Sequence, residues 1–236
     1  MALSPEPAGR LAVVTGGGGG LARATAVRLA AAGVEVVVVA RNAAGVRAAA
    51  DDTGCTGIAA DVSTEAGVAR VAAALAGRTP DIIVHAAGAF QLAPLTETSV
   101  ESFDTIIAVN LRAAFLLARA FVPAMRARGA GDIVLIGSVA GRHAFPSNGA
   151  YSASKFGLRG MHAVLATELR GSGVRAVLVE PAATDTALWT TIDRAANPEL
   201  PDSTAMLEPD AVAEAVLFAI SRAGDVLIPN IIIERA

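Results

Sequence analysis

The chain contains one tyrosine and one lysine, and they stand four residues apart, at Tyr151 and Lys155. On a helix, positions i and i+4 lie on the same face, one turn apart. The pKa of a phenol is ordinarily ~10, and a fixed cation beside it favours the phenolate and lowers that pKa. The spacing is therefore typical of an acid/base pair. The alternative is an amphipathic helix with a half-buried tyrosine and a solvated lysine.

The elements that would position this pair alternate between strands and helices along the whole chain. Strands are predicted at residues 11–15, 35–40, 57–60, 81–86, 132–137, 174–179 and 225–228, with 231–234 extending the last. Helices are predicted at residues 21–32, 43–51, 64–76, 100–128, 151–172 and 209–222. The strands are continuous Val/Ile/Leu runs, a pattern typical of strands that are covered on both faces. We therefore predict an α/β fold, a Rossmann-type doubly wound parallel sheet of about seven strands in a single domain spanning 1–236.

One segment breaks this alternation. Residues 184–208 form a long, polar segment that contains proline, with Trp189 near the start. Loops of this length in a compact domain are usually functional. We therefore predict a lid or loop on the substrate side of the site.

Composition excludes several classes of function. The formal net charge is −3, so no basic surface for nucleic acid or an anionic membrane is expected. Cys55 is the only cysteine, which excludes an internal disulfide and fits a reducing compartment. The N-terminus lacks a signal-peptide pattern, and no apolar run approaches the ~18 residues of a membrane-spanning helix. We expect a soluble, cytoplasmic protein with no metal site.

A run of five glycines, residues 16–20, joins the first predicted strand to the first predicted helix. Glycines there let the backbone approach a ligand closely, and free N–H groups at the start of a helix favour a phosphate. The alternative is a flexible turn, but the strand–glycine–helix context is the one that a nucleotide site requires. The second predicted strand ends at Ala40-Arg41, where NAD-binding folds place an acid and where an arginine accommodates a 2′-phosphate. This favours NADP(H) over NAD(H), unless Arg41 is simply solvated at the end of the strand.

With these features in place, the chain resembles the short-chain dehydrogenase/reductase family over essentially its whole length. The motifs that carry the resemblance are Thr15 to Ala22, Asp61-Val62, His85-Ala86-Ala87-Gly88, Asn110, the series Ser138, Tyr151 and Lys155, and the segment from Pro181 to Thr186. Three of these motifs depart from the family pattern. Ala22 replaces the last glycine of the first motif, His85-Ala86 replaces two asparagines, and Ala182 replaces a glycine.

The resemblance implies a hydride transfer between NADP(H) and a small carbonyl or alcohol substrate. Tyr151 would be the general acid/base, and Ser138 would hold the reacting oxygen. Lys155 would lower the tyrosine pKa and bind the nicotinamide ribose. Asn110 would perturb its helix locally and connect the site to bulk water through a bound water. The implied cofactor-binding residues are Thr15, Gly16, Gly18, Gly19, Gly20, Leu21, Arg41, Asp61, Val62, Ala87, Gly88, Tyr151, Lys155, Pro181, Thr184 and Thr186. The implied substrate wall is Ser138, His143, Phe145, Phe90-Gln91, Leu188 and Trp189.

Two alternatives stay open at this point. One is a cofactor-binding sensor or scaffold of the same fold without catalysis, and the other is an isomerase or epimerase that uses the same Tyr/Lys pair. The resemblance also implies a homodimer or homotetramer formed through the predicted helices 100–128 and 151–172.

Overall fold

The computed structural model describes residues 7–190, 192–193, 197 and 200–236. They form a sheet of seven parallel strands in the order β3-β2-β1-β4-β5-β6-β7. The strands are β1 (Leu11–Thr15), β2 (Glu35–Ala40), β3 (Thr56–Ala59), β4 (Ile82–His85), β5 (Gly131–Ile136), β6 (Val174–Pro181) and β7 (Asn230–Ile233). The predicted α/β class, the parallel sheet and the number of strands are therefore confirmed.

Helices cover both faces of the sheet. They are α1 (Gly20–Ala31), α2 (Ala43–Thr53), α3 (Glu65–Ala74), α4 (Val100–Ile107), α5 (Ala113–Arg128), α6 (Gly149–Glu168) and α7 (Pro209–Ile220). Successive residues of a strand point to opposite faces, so Val13 packs in the core layer with α3, α5 and α6, while Val14 packs in the layer with α1 and α7. This is why the strands have continuous apolar sequences.

Local signals in the sequence set several helix ends. The side chains of Asn42, Thr64 and Ser99 accept a backbone N–H in the first turn of α2, α3 and α4, as N-caps do. Gly54 and Gly129 end α2 and α5 in the left-handed conformation, which is accessible to a residue without a Cβ.

The predicted helix 100–128 is continuous but not uniform. Between α4 and α5 lies a stretch of π-helix, Ala108–Arg112, which we call the π-turn, and Asn110 is fully buried within it. Single π-turns inside α-helices occur frequently at functional sites. The resemblance implied a local perturbation at Asn110, and the π-turn is that perturbation.

The predicted strand at residues 225–228 is wrong. Val226 and Leu227 are each 42% exposed, and the carbonyl oxygen of Val226 accepts a hydrogen bond from Arg175. Pro229 has no N–H to donate, although its carbonyl oxygen accepts from Leu178. The last strand therefore begins only at Asn230. The predicted helix 151–172 also ends earlier, at Glu168, and Gly171 and Gly173 after it have positive φ.

One stretch of the described residues, Val100–Arg128, is long and apolar enough to cross a membrane by length and composition. The sequence analysis did not find such a run, because charged residues such as Asp104 and Arg112 interrupt it. Nearly half of the stretch is buried against the rest of the protein, as in the core helix of a soluble protein. The finding is weak evidence for a membrane, and the cytoplasmic location stays a prediction.

Candidate active site

The carboxyl ends of β1, β4, β5 and β6 meet at one edge of the sheet. β1 lies between β2 and β4, so the connections that leave β1 and β4 diverge there and open a crevice, the usual ligand site of doubly wound folds. The glycines after β1, residues 86–89 after β4, Ser138 after β5 and residues 182–186 after β6 surround this crevice.

The glycines after β1 are required by space and by backbone angle. Gly16 has φ +91°, and a Cβ on it would lie 2.8 Å from the backbone of Ala87. A Cβ on Gly17 would lie 2.0 Å from a methyl of Val38. At Gly18 and Gly20, by contrast, a Cβ would meet no atom closer than 3.7 Å. These two positions border open space at the start of α1, which is the cradle that a phosphate needs.

A cleft of about 340 Å³ runs from these glycines along the sheet edge. It brings together eleven of the predicted cofactor-binding residues: Gly16, Gly18, Gly19, Gly20, Leu21, Arg41, Asp61, Val62, Ala87, Gly88 and Thr186. The elongated cleft has a helix N-terminus at one point of its wall and an arginine at the end of β2. This arrangement fits a dinucleotide.

Other predicted cofactor residues do not line this cleft. Thr15 is fully buried behind it, and its hydroxyl oxygen accepts the N–H of Ala87 at 3.3 Å. Thr184 is buried, and its hydroxyl donates to the carbonyl oxygen of Ala182. Pro181 is the last residue of β6. In this structure these three residues support the cleft wall, and their predicted contacts with a cofactor stay predictions.

The sequence analysis missed two polar residues that line the cleft, Asn42 and Ser63. Asn42 is the N-cap of α2, and the Ser63 hydroxyl donates to the Asp61 carboxylate. Each side chain therefore stabilises a turn that follows a strand. Both residues could have been predicted, because polar turn residues that directly follow parallel strands lie at this edge of the sheet.

Tyr151 and Lys155 lie in the first two turns of α6, on the same face. The Lys155 Nζ is 5.5 Å from the centre of the Tyr151 ring and donates to the carbonyl oxygen of Ile136 at 2.8 Å. The Ser138 hydroxyl acts on the Tyr151 phenol and opposes part of the rise in the pKa of that phenol. The three residues that the sequence grouped by order and type are therefore grouped in space.

Burial moves the pKa values of this pair in opposite directions. It raises the pKa of Tyr151 to about 12, and the hydrogen bond from Ser138 offsets this only partly. It lowers the pKa of Lys155 to about 8. The expectation that Lys155 lowers the tyrosine pKa is wrong for this structure, because loss of hydration outweighs any stabilisation of the phenolate. Near neutral pH the phenol keeps its proton.

Asn110 joins the site segments to one another. Its side-chain oxygen accepts the N–H of Ala89 at 2.8 Å, and its amide nitrogen donates to the carbonyl oxygen of Ala89 and to the Ser154 hydroxyl, each at 2.9 Å. Ser154 in turn donates to the carbonyl oxygen of Tyr151 at 2.6 Å. The π-turn therefore holds both the segment after β4 and the start of α6.

The predicted substrate wall is only partly assembled. The ring of Phe90 lies edge-on to Tyr151 at 4.9 Å between centroids and 5.3 Å from the Trp189 ring. The Trp189 indole N–H donates to the carbonyl oxygen of Thr184, which fixes that ring. His143 and Phe145 are exposed on the loop after β5 and do not line the cleft. The structure does not bring these two residues to Tyr151.

Arg142, which follows Ser138 by one turn, has its charge paired within the protein. Its Nε donates to Glu180 at 2.7 Å, and its Nη2 donates to Asn230 at 3.1 Å. Asn230 also donates to the same oxygen of Glu180. Because Glu180 is only 1% exposed, this network fixes the Ser138 turn to β6 and β7.

Comparisons with known proteins agree with the fold. The sequence profile of the short chain dehydrogenase family matches residues 10–197. D-threitol dehydrogenase of Mycolicibacterium smegmatis is 36% identical over 227 residues, which cover 91% of this chain and 87% of that protein.

Solved structures give the same result. A metagenomic short-chain oxidoreductase in complex with NADP has a TM-score of 0.83 at 33% identity, covering 98% of this chain and 99% of that one. A 3-ketoacyl-(acyl-carrier-protein) reductase from Brucella melitensis, complexed with NADH, has a TM-score of 0.85 at 32% identity, covering 97% and 98%. The chain belongs to the short-chain dehydrogenase/reductase family and is an oxidoreductase that acts on alcohol or carbonyl substrates.

Proposed function

We propose that the protein transfers a hydride between NADP(H) and a ketone, an aldehyde or a secondary alcohol, with Tyr151 as the general acid/base. The observation that carries this proposal is the position of the Lys155 Nζ, 5.5 Å from the centre of the Tyr151 ring on the same face of α6, with the Ser138 hydroxyl acting on the Tyr151 phenol. A catalytically silent scaffold of the same fold has no need of these three groups together.

The nicotinamide would supply or accept the hydride, and the residues of this chain handle the proton. In reduction, the Ser138 hydroxyl holds the carbonyl oxygen while the Tyr151 phenol donates its proton to the same oxygen as negative charge develops there. With a pKa of about 12 the phenol holds its proton near neutral pH, so a proton is present for transfer to the substrate oxygen. Lys155, with a pKa lowered to about 8, is a positive charge beside the phenolate that is left behind.

The preference for NADP(H) rests on Arg41. This residue is exposed, lines the cleft at the end of β2 and follows Ala40, where NAD-binding folds carry an acid. One solved relative holds NADP and another NADH, so family membership alone does not decide the cofactor.

The test of this preference is a titration of both cofactors into the parent and into the variants Arg41→Ala and Arg70→Ala. Arg70 is an exposed arginine outside the cleft and serves as the control. Loss of a charge-assisted contact should weaken NADP binding ten- to a hundredfold, leaving NAD binding nearly unchanged. Arg70→Ala should match the parent for both. Tighter NAD than NADP binding by the parent would contradict the assignment.

We further propose small neutral substrates, polyols and hydroxy ketones among them. Phe90 and Trp189 form an apolar wall at Tyr151, and the arginine nearest to Ser138 is paired with Glu180. A second cleft of about 630 Å³, on the far side of Phe90, carries the polar side chains of Gln91, Ser102, Thr105 and Asn197. Its charged residues are the acids Glu101 and Asp193, which disfavour an anionic substrate. The resemblance to D-threitol dehydrogenase supports the same class.

The experiment that tests the function is a panel of ketones, aldehydes, oxo acids and polyols with both cofactors, using the parent and Tyr151→Phe. Removal of a general acid should lower kcat by about 10²- to 10⁴-fold. Cofactor binding, measured by fluorescence, should change little, which serves as the internal control. Equal activity of the two proteins on every substrate would overturn the assignment of Tyr151.

We also propose that residues 184–208 close over the substrate and that the protein is a homo-oligomer. The ends of the segment are tied together, since Asp185 donates to Leu207 and Leu207 donates to Ala183 through their backbones. Large apolar side chains are exposed on α5 and α6, including Phe115, Phe156 and Val164. A second copy of the chain would cover them.

A further inference from the structure

His85 occupies the end of β4, where the family pattern has an asparagine. It is 1% exposed and pairs in register with Thr15, the last residue of β1. The Nδ1 atom of its ring lies 3.0 Å from the Thr15 hydroxyl oxygen. The ring therefore bridges the two strands at the point where the connections leaving the sheet diverge.

The contacts of Thr15 determine which ring nitrogen carries the hydrogen. The Thr15 oxygen already accepts the N–H of Ala87, so its own proton requires an acceptor. Nδ1 of His85 is the acceptor within reach. A neutral imidazole has one donor and one acceptor, so the hydrogen must be on Nε2. Burial and the positive charge of Lys155 lower the pKa of His85 to about 3, so the ring is neutral under working conditions.

The π-turn supplies the backbone acceptors that act on the His85 ring. The carbonyl groups of Val109 and Asn110 act on His85 as hydrogen-bond acceptors, partly opposing the lowering of its pKa. Within the described residues, Nε2 nevertheless has no partner at full hydrogen-bond geometry. A buried donor left unpaired costs about 1–3 kcal/mol. A π-turn displaces the regular helical hydrogen bonds, so its carbonyl groups are the acceptors for such a donor.

We propose that His85 is a positioning residue for Tyr151 and Lys155, which it serves by donating from Nε2 to the carbonyl edge of the π-turn. This inference rests on the proposed function, because it assigns His85 to the same reaction. From the cofactor cleft, the connection runs through Ala87, Thr15 and His85 to the π-turn. From there, the Asn110 side chain continues it to Ser154 and to the backbone of Tyr151.

The first test observes the ring itself and needs no enzyme activity. The chain has three histidines, so a long-range ¹⁵N spectrum of the labelled protein contains three imidazoles, and His85→Gln removes one of them. We expect the signal that disappears to have the Nε2–H tautomer and not to titrate between about pH 5 and 8. A hydrogen on Nδ1, or a titration in this range, would overturn the inference.

The second test compares His85→Leu, which has no donor, with His85→Gln, which retains one. Because small displacements of catalytic groups are costly, His85→Leu should lose about tenfold or more in kcat, with cofactor affinity within about twofold of the parent. His85→Gln should recover most of the loss.

The matched control is His162→Leu. His162 is also a buried histidine but lies on α6, and among the described contacts its ring hydrogen-bonds only the carbonyl oxygen of Ala176. It should lower stability with kcat unchanged. A parental kcat in His85→Leu, or no recovery in His85→Gln, would contradict the role of His85. If the parent is inactive on every substrate, the proposed function fails, and the ¹⁵N spectrum alone decides the hydrogen bond of His85.

Discussion

Tyr151 and Lys155 show how burial prepares two ordinary side chains for proton transfer. The pKa of the phenol is raised to about 12 and that of the ammonium is lowered to about 8, so near neutral pH both groups are protonated. The phenol therefore has a proton to donate, and Lys155 carries its positive charge on the same face of α6. Because the chain has one tyrosine and one lysine, each titration can be assigned without ambiguity.

The lowered lysine pKa predicts how stability changes in alkali. The pKa of Lys155 is about 8 in the folded protein and 10.5 in the unfolded chain. Between these two pH values the unfolded chain binds a proton that the folded protein has released, so stability rises with pH. The raised Tyr151 pKa acts oppositely, because stability is lost as pH rises from 10 towards about 12. Urea unfolding from about pH 8 to 9.5 should therefore reveal the lysine contribution, which totals at most about 3 kcal/mol over its full window.

The parent is compared with Lys155→Met, whose methionine cannot titrate. Both proteins should also carry Cys55→Ser, which removes the only thiol. The rise in the free energy of unfolding should be present with Lys155 and absent with methionine. Parallel pH dependences in the two proteins would show that Lys155 is not the group responsible.

At the scale of elements, a second polar network lies at the end of the sheet opposite to the active site. Arg175 of β6 donates to both oxygens of Asp132, at 2.6 and 3.0 Å, and to the carbonyl oxygen of Ile220 at the end of α7. Arg10 pairs with the same carboxylate. The network therefore supplies a hydrogen-bond donor to a carbonyl oxygen in the last turn of α7 and neutralises the Asp132 carboxylate, which is only 1% exposed.

Arg175→Met should be strongly destabilising, by about 3–5 kcal/mol, because it leaves Asp132 buried with one of its cations removed. Arg78→Met is the matched control, since Arg78 pairs with Glu35 and both side chains are more than half exposed. It should change stability little. Urea unfolding measures both, and equal effects of the two substitutions would refute the distinction between the buried and the exposed pair.

The errors of prediction at this scale have physical causes. Residues 225–228 have the composition of a strand, but they are excluded from the sheet. Pro229 is a local signal against a strand, whereas the hydrogen bond from Arg175 to the carbonyl oxygen of Val226 is a tertiary contact. The π-turn at Asn110 is invisible to helical periodicity, because it adds one residue to a turn within an otherwise regular pattern. Thr15 is a different case: its hydroxyl contacts Ala87 and His85 within the protein, and its predicted contact with the cofactor stays a prediction.

At the scale of the whole molecule, most of the architecture could be predicted. Buried parallel strands and a glycine-rich first connection follow from short-range patterns, and they position Tyr151, Lys155 and Ser138 at one edge. Position on a loop does not predict contacts: His143 and Phe145 follow Ser138 closely in sequence but are exposed, whereas Phe90 from another loop contacts Tyr151. The pairing of Arg142 with Glu180 likewise depends on contacts between elements distant in sequence.

The proposed homo-oligomer predicts that a charge on α6 will separate the copies. Val164 is 57% exposed there, and Val164→Glu should reduce the mass measured by light scattering towards that of one chain of 23.7 kDa. Val27→Glu, at a 44% exposed valine of α1, is the control and should leave the assembly intact. A parent that is monomeric at high concentration would refute the proposed assembly.

The central claim is that hydride reaches the substrate carbon while Tyr151 supplies the proton. NADPH labelled with deuterium at both positions of the nicotinamide C4 tests this directly, by mass spectrometry of the alcohol formed from the best ketone of the panel. We predict one deuterium at the carbinol carbon with the parent and about a hundredfold or more slower formation of that product with Tyr151→Phe. An alcohol without deuterium, or equal transfer by both proteins, would contradict the account.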